Sequence, residues 1–371
     1  MRRGLDGFAD DVRAWRAGTP GRAPVYHRLL EEAVALFDAP TGATEQAARA
    51  RVEAAWRERK QPNPYHRPLL LMAALRAEAL RAGARHPLFE AIGAAQPRPD
   101  AATRDRLAAA LGDAPPRLFA DLATRSVQTN ETSRAVVWLW PAALAGAGRP
   151  LALYDLGCSA GLNLAGDRLP AVWTDARGTA LPVAAGARIA VRQGFDASPL
   201  DVSRDADRAW LVACVWPGET ARLDRLQAAI AAFRALGGDP TAPPRLAMSD
   251  LGDVPERLEA LAQATAGPAL HLAYQTVVRD YLTEATRARY VEGMRRWVAG
   301  GDARAPRLWI ELEAPLGASS MAIEAHVGTG AGAGNSGGVL DLTLAWCGFH
   351  PDRVTPEADA VRAFAAATAA R

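Results

Sequence analysis

At 371 residues, 49% hydrophobic and 23% charged, the chain has an ordinary globular composition and is long enough for two domains. Forty-three Lys and Arg against 41 Asp and Glu leave a net charge of +2, and no basic block interleaves with aromatics, so no nucleic-acid partner is expected. Cys158, Cys214 and Cys347 are too scattered for a disulfide framework, the opening MRRGLDGFADDVRAW lacks an apolar leader, and no run approaches the ~18 apolar residues of a membrane span, so a cytoplasmic protein without a membrane partner is expected.

Residues 1–148 read as an N-terminal helical domain. Tyr26, Leu29, Leu30, Ala33 and Leu36 recur at helical spacing, with Glu31 and Glu32 on the other side. Residues 44–56 are rich in Ala, Glu and Arg, which favour helix. After the breakers in Gln61-Pro62-Asn63-Pro64, the run 68–82 reads as a buried helix, and shorter helices follow over 101–111 and 116–123.

Residues 124–134, TRSVQTNETSR, crowd polar groups ahead of an aromatic apolar helix at 136–140. One reading is a solvated loop with Asn130 as the helix N-cap. The other folds the segment over the carboxyl edge of the next strand, where Arg125, Gln128 and Asn130 meet a ligand carboxylate or substrate.

From Arg149 the chain alternates strand and helix, so 149–371 is expected to be a doubly wound α/β domain of Rossmann type. Its centre is 151–164, LALYDLGCSAGLNL, read as strand, glycine turn and helix start. The near-continuous apolar run suits a parallel strand buried on both faces. Asp155 stands near the strand's carboxyl end, where open α/β sheets bind ligands. Gly157 and Gly161 let the backbone turn sharply beside a ligand, and the helix start offers N–H groups to an anion or carboxylate. The pattern is neither the G-x-G-x-x-G fingerprint nor a phosphate loop. It resembles the first motif of class I S-adenosylmethionine-dependent methyltransferases, an acidic residue before G-x-G-x-G, with Ser159 at the middle glycine.

A strand over 187–192 leads to Gly194-Phe195-Asp196. Asp196, or else Asp175 in the insertion 173–186, is the candidate carboxylate for ribose hydroxyls. The strand 245–248 ends at Ser249-Asp250, where Asp250 either meets an adenine amino group or caps a turn. On the strand 269–278, His271 reads as a hydrogen-bonded core histidine, while Tyr274 and Gln275 at the exit are pocket candidates. Glu311 and Glu313 share one face of the strand at 307–312 and, as paired carboxylates, suit acid/base chemistry. The glycine-rich stretch 328–338 reads as a hairpin connection or a lid before the last strand, 339–346. No H-E-x-x-H, C-x-x-C or close His pair occurs, so no metal is expected.

TRSVQTNE at 124–131, DLGCSAGLNL at 155–164, GFDASPLDV at 194–202, WPGET at 216–220 and the stretch from Tyr274 to Leu282 together resemble domain-of-unknown-function family 2332, uncharacterised bacterial proteins, over most of the chain. That resemblance implies a methyltransferase-like Rossmann fold preceded by helices and brings no activity with it. The expectation is therefore S-adenosylmethionine held by Asp155, Gly157, Ser159, Gly161, Asp196 and Asp250. A small-molecule substrate is expected against Arg125, Gln128, Asn130, Tyr274 and Gln275. The alternative is a non-catalytic protein of the same fold that binds a nucleotide-like ligand or a protein partner.

Overall fold

The structure, a computed structural model, describes residues 4–59, 63–128, 131–146, 148–302, 304–315, 320–328 and 338–369. The helices are α1 (Phe8–Ala17), α2 (Pro24–Asp38), α3 (Ala43–Trp56), α4 (His66–Ala82), α5 (Arg104–Gly112), α6 (Pro116–Thr124), α7 (Val136–Leu144), α8 (Asp205–Cys214), α9 (Thr220–Leu236), α10 (Val254–Ala264), α11 (Glu284–Ala299) and α12 (Ala358–Ala369). The strands are β1 (Leu151–Leu156), β2 (Ile189–Asp196), β3 (Arg245–Met248), β4 (Leu270–Thr276), β5 (Arg307–Glu313), β6 (Met321–Gly328), β7 (Val339–Cys347) and β8 (Val354–Pro356). Two units emerge, Met1–Thr129 with Arg204–Asp224, and Asn130–Ser203 with Arg225–Arg371.

The first unit is helical. α2 buries Tyr26, Leu29, Leu30, Ala33 and Leu36, the stripe marked by their spacing. α4 is buried almost all round from His66 to Ala79, as befits the helix at the centre of a bundle. Its Arg67 is charged yet inaccessible, and is matched by Asp11 at 2.6 Å and by the carbonyls of Gly4 and Asp6.

The second unit is built on a sheet of eight strands in the order β3-β2-β1-β4-β5-β6-β7-β8. β1 to β5 are mutually parallel, and β6, β7 and β8 continue as an antiparallel meander. β1 is buried at all six positions, which is why its sequence shows no alternation. The chain runs β1, β2, β3 toward one edge and then returns to β4 beside β1, so the strand order reverses between β1 and β4. One face packs Leu153, Leu272 and Ile310 against Trp138 and Leu139 of α7 and Phe364 of α12. The other packs Tyr154, Leu156 and Trp309 against Leu258 of α10 and Met294 and Trp297 of α11.

One local expectation is corrected. The helix expected after the glycine turn is a short 3-10 run, Leu162–Arg168, so no α-helix N-terminus faces a ligand there. Gly166 lets this run press on α7's approach, since a Cβ at that position would lie 2.5 Å from Ala135 Cβ. β6 and α12 were not anticipated at all. Of the glycine-rich stretch, Gly328 closes β6, while 329–337 lie outside the described residues. Among the described residues no helix is long and apolar enough to cross a membrane.

Candidate functional site

The exit of β1 winds through three left-handed residues, Gly157 (φ 80°), Ser159 (φ 54°) and Gly161 (φ 70°). The turn is tied to β2. Gly157 N and Cys158 N both donate to Phe195 O, at 2.8 and 3.0 Å. Asp196 Oδ2 accepts from Ser159 N at 2.7 Å and Oδ1 from Ser198 N at 2.8 Å. Both glycines are also sites of close packing. A Cβ on Gly157 would lie 2.9 Å from Val278 Cγ2, and one on Gly161 would lie 2.6 Å from Leu246 Cδ2. Cys158 is buried, and burial holds its thiol well above the ordinary value, so it is no ready nucleophile.

Asp155 lies one residue before the end of β1 and is 3% exposed. Burial pushes its carboxyl up to about 7, the Tyr274 hydroxyl offsets part of the rise, and the Asp196 charge adds to it. Tyr274 is directly opposite on β4, in register with Asp155. Despite this proximity, Asp155 Oδ2 and Tyr274 Oη have no hydrogen-bond partner among the described residues. Arg192 Nε and Asn163 Oδ1, on neighbouring β2 and the 3-10 run, are left in the same condition. Arg192's terminal nitrogens are bound to Asp167 at 2.8 and 2.7 Å. Unpaired buried polar atoms are uncommon, and the two that face each other across β1 and β4 call for an explanation.

Gln275 follows Tyr274 and therefore points to the opposite face, so the two cannot line one wall. There it is fully inside a polar network. Its Nε2 donates to Glu313 Oε1 at 2.8 Å, while Tyr290 Oη and Trp309 Nε1 donate to its Oε1. Glu313 Oε1 also accepts from Val278 N at 2.9 Å and Arg279 N at 3.3 Å, and burial pushes its carboxyl up to about 7. Glu311, inaccessible on the same face, is clasped by the Arg279 guanidinium and meets His326 Nε2 at 2.9 Å. His326 Nδ1 meets Asp341 Oδ1 at 2.7 Å, and Asp341 is in turn held by both terminal nitrogens of Arg295 at 3.0 Å. Burial alone would lower the His326 pKa, but the two carboxylates raise it, which favours the imidazolium. Glu311, Glu324 and His326 bring ligand atoms within 4.8 Å of one another, a spacing that suits a cation. Arg279 already lies against both carboxylates, at 3.7 Å from Glu324, and both His326 nitrogens face carboxylates. The cluster thus carries its own cations.

The other expected residues serve local structure. Asp250 accepts from Gly252 N at 2.8 Å as the cap of a 3-10 turn and is exposed. Asp196, not Asp175, closes β2. Asp175 instead shapes the insertion by accepting from Arg177 N and Thr179 N, both at 2.8 Å. Arg125, in the helical unit, spans Asp121 at 2.9 Å and Asp207 at 3.1 Å over the Trp210 ring. Gln128 lies in the same unit, half-buried, and Asn130 lies outside the described residues. His271 is a core histidine: Tyr154 Oη is 2.9 Å from its Nδ1, and burial lowers its pKa to about 4.

Sequence reasoning missed three features of the carboxyl edge. Met248, in register with Asp196, is 72% exposed. Val277, at the exit of β4, has φ 55°. Glu131 is buried with Oε2 2.9 Å from His350 Nδ1 and Oε1 accepting from Ser133 Oγ at 3.0 Å. Glu131 was within reach, since it lies inside the polar segment 124–134. Clefts elsewhere have other characters. One of about 530 Å³ in the helical unit is lined by Arg16, Arg22, His27, Arg28, Glu31 and Glu32. One of about 290 Å³ opens at the amino edge of the sheet beside Gly146, Arg149, Leu270 and Pro306. The second includes the unpaired Arg307 Nε, but neither brings two such groups face to face, so the β1/β4 edge remains the better candidate.

No curated protein and no solved structure matches the chain. Residues 13–355 match the family described as "Uncharacterized protein conserved in bacteria (DUF2332)", and the chain belongs to that family.

Proposed function

We propose that the protein binds S-adenosylmethionine at the carboxyl edge between β1 and β4 and transfers its methyl group to a small molecule. The observation that carries this reading is the buried Asp155–Tyr274 pair, whose Oδ2 and Oη have no hydrogen-bond partner beyond one another among the described residues, at the point where the strand order reverses. Ligands of open α/β sheets bind at that point. The order β3-β2-β1-β4-β5 also supports a Rossmann methyltransferase-like fold, extended here by the antiparallel β6–β8.

The residues present fit such a ligand in outline. Asp196 ends β2, exposed Met248 ends the adjacent parallel β3 in register with it, and Asp250 follows two residues on. An apolar surface flanked by carboxylates suits a purine and its ribose, with Gly157, Ser159 and Gly161 admitting the methionine portion. Asp155 and Tyr274 would supply buried polar partners below. The cofactor, when bound, brings an electrophilic methyl group. The protein's share is proximity and orientation toward the acceptor.

One observation favours a second reading, a non-catalytic protein of this fold that binds a nucleotide-like ligand or a protein partner. Val278 occupies the space beside Gly157 that the methionine portion needs. Calorimetric titration with S-adenosylmethionine and with its demethylated product separates the two. Micromolar binding that disappears in Met248→Glu, a surface variant with little reason to unfold, is the expected result. An absence of both heat and thermal shift overturns the proposal. Gly157→Val is a poor probe, because φ 80° and the Val278 contact make it strained with or without a ligand.

A further inference from the structure

The turn that leaves β4 is under strain. Val277 is β-branched and held at φ 55°, a conformation such residues avoid. Strained residues persist only where their surroundings over-determine them. Here the surroundings are specific. Val277 N donates to Leu312 O at 2.9 Å, and the next two amides, Val278 N and Arg279 N, converge on Glu313 Oε1. Glu313 is itself oriented by Gln275 Nε2. The strain places two valines. Val278, 6% exposed, fills the space beside Gly157. Val277 packs against the apolar cluster on the α7 face, the face that carries Asp155 and Tyr274.

We propose that residues 277–279 form a spring-loaded plug at the β1/β4 crevice, with Val278 closed over Gly157 from the α11 face. A nucleoside ligand enters by displacing Val278. Release of the left-handed conformation at Val277 offsets part of the cost of breaking the amide contacts to Glu313. This deepens the cofactor reading above and rests on it, by naming how the same site opens.

Two substitutions push the plug in opposite directions. Val277→Gly removes the conformational penalty and stabilises the closed turn. Val278→Ala removes the methyl groups that fill the crevice and favours opening. Val277→Asn, which tolerates the left-handed region, serves if the glycine variant does not fold. In the ligand-free protein, hydrogen exchange at the Val278 and Arg279 amides is expected to slow about tenfold in Val277→Gly and to quicken by a similar factor in Val278→Ala, the scale set by one strained residue. Calorimetric affinity for S-adenosylhomocysteine is expected to weaken in the first and tighten in the second. Exchange rates that stay within about twofold of wild type in both variants overturn the plug. So does binding that is equal in all three proteins. If none of them binds while exchange moves in the two stated directions, the plug stands and the S-adenosylmethionine reading falls.

Discussion

The two faces of the sheet reach the carboxyl edge in opposite states. On the α11 face, Glu311, Glu313, Gln275 and His326 are buried, Asp341 is exposed at their edge, and each is matched by a donor or a counter-charge. On the α7 face, Asp155 Oδ2 and Tyr274 Oη are just as buried and, beyond their influence on one another, have no hydrogen-bond partner among the described residues. Buried polar networks tend to be complete because each unpaired member costs a full desolvation. The complete network therefore reads as architecture, even though it holds more titratable groups. The incomplete pair is the more informative one, because the fold tolerates a cost there without a structural return.

The sharpest way to break this comparison is to open the complete network. Glu311→Ala takes from Arg279 and His326 the one buried anion they share, leaving Glu324 and Asp341 as their remaining counter-charges, and a loss of about 3 kcal/mol in urea-unfolding free energy is expected. The pH profile reports the same network. The folded state raises the His326 pKa, so the stability it contributes is complete below the ordinary histidine value and is lost as pH rises through the raised one. Removing Glu311 should flatten that alkaline loss. A variant that loses less than about 1 kcal/mol and keeps the wild-type pH profile would show that the network is solvated and that the contrast between the faces is false.

Much of the frame was legible because local pattern decided it. Leu151 to Leu156 carries no alternation, and the strand it forms is buried on both faces with those bounds. The stripe on α2 follows its sequence period equally closely, and the strand Arg245–Met248 has the expected bounds. β6 was missed although Met321, Ile323, Ala325 and Val327 alternate with Ala322, Glu324 and His326. Glycines on its carboxyl side pulled the reading toward a loop. With β6 unseen, the meeting of Glu311 with His326 was out of reach, since antiparallel pairing creates it. The left-handed Val277 was not legible in any local sense. A valine gives no signal for it, and the constraint comes from Glu313, a residue on another strand. That Tyr274 and Gln275 face opposite ways was available from the period of two.

A smaller effect of opposite sign tests the incomplete side. The folded state raises the Asp155 pKa from 3.8 to about 7, so its neutral form is favoured by folding. That contribution is whole below the ordinary value and is lost as pH climbs toward 7, above which the native state carries a buried charge. Asp155→Asn keeps the shape and removes the charge. It should stabilise the protein by about 2–3 kcal/mol at pH 8 and by almost nothing at pH 4, read from denaturant midpoints at the two pH values. The same variant should weaken nucleoside binding, the usual exchange of function for stability. Destabilisation at pH 8 would mean that Asp155 is a structural carboxylate with partners.

The finest test compares two tyrosines, one on each face. Tyr290 Oη donates to Gln275 Oε1 inside the complete network, and Tyr274 Oη donates to nothing described. Both side chains are inaccessible, and Phe replaces either with little change of volume. Loss of a satisfied buried hydroxyl costs about 1 kcal/mol, whereas loss of an unsatisfied one costs about nothing and can be a slight gain. Tyr290→Phe should therefore lower the unfolding free energy, while Tyr274→Phe should leave it level or raise it, with both measured at pH 6, below the raised Asp155 value. At pH 8 the Asp155 carboxylate needs the Tyr274 hydroxyl more, so Tyr274→Phe should then turn mildly destabilising. If the two variants instead cost the same at both pH values, Tyr274 is as well partnered as Tyr290. The β1/β4 edge would then lose the feature that sets it apart from the rest of the sheet.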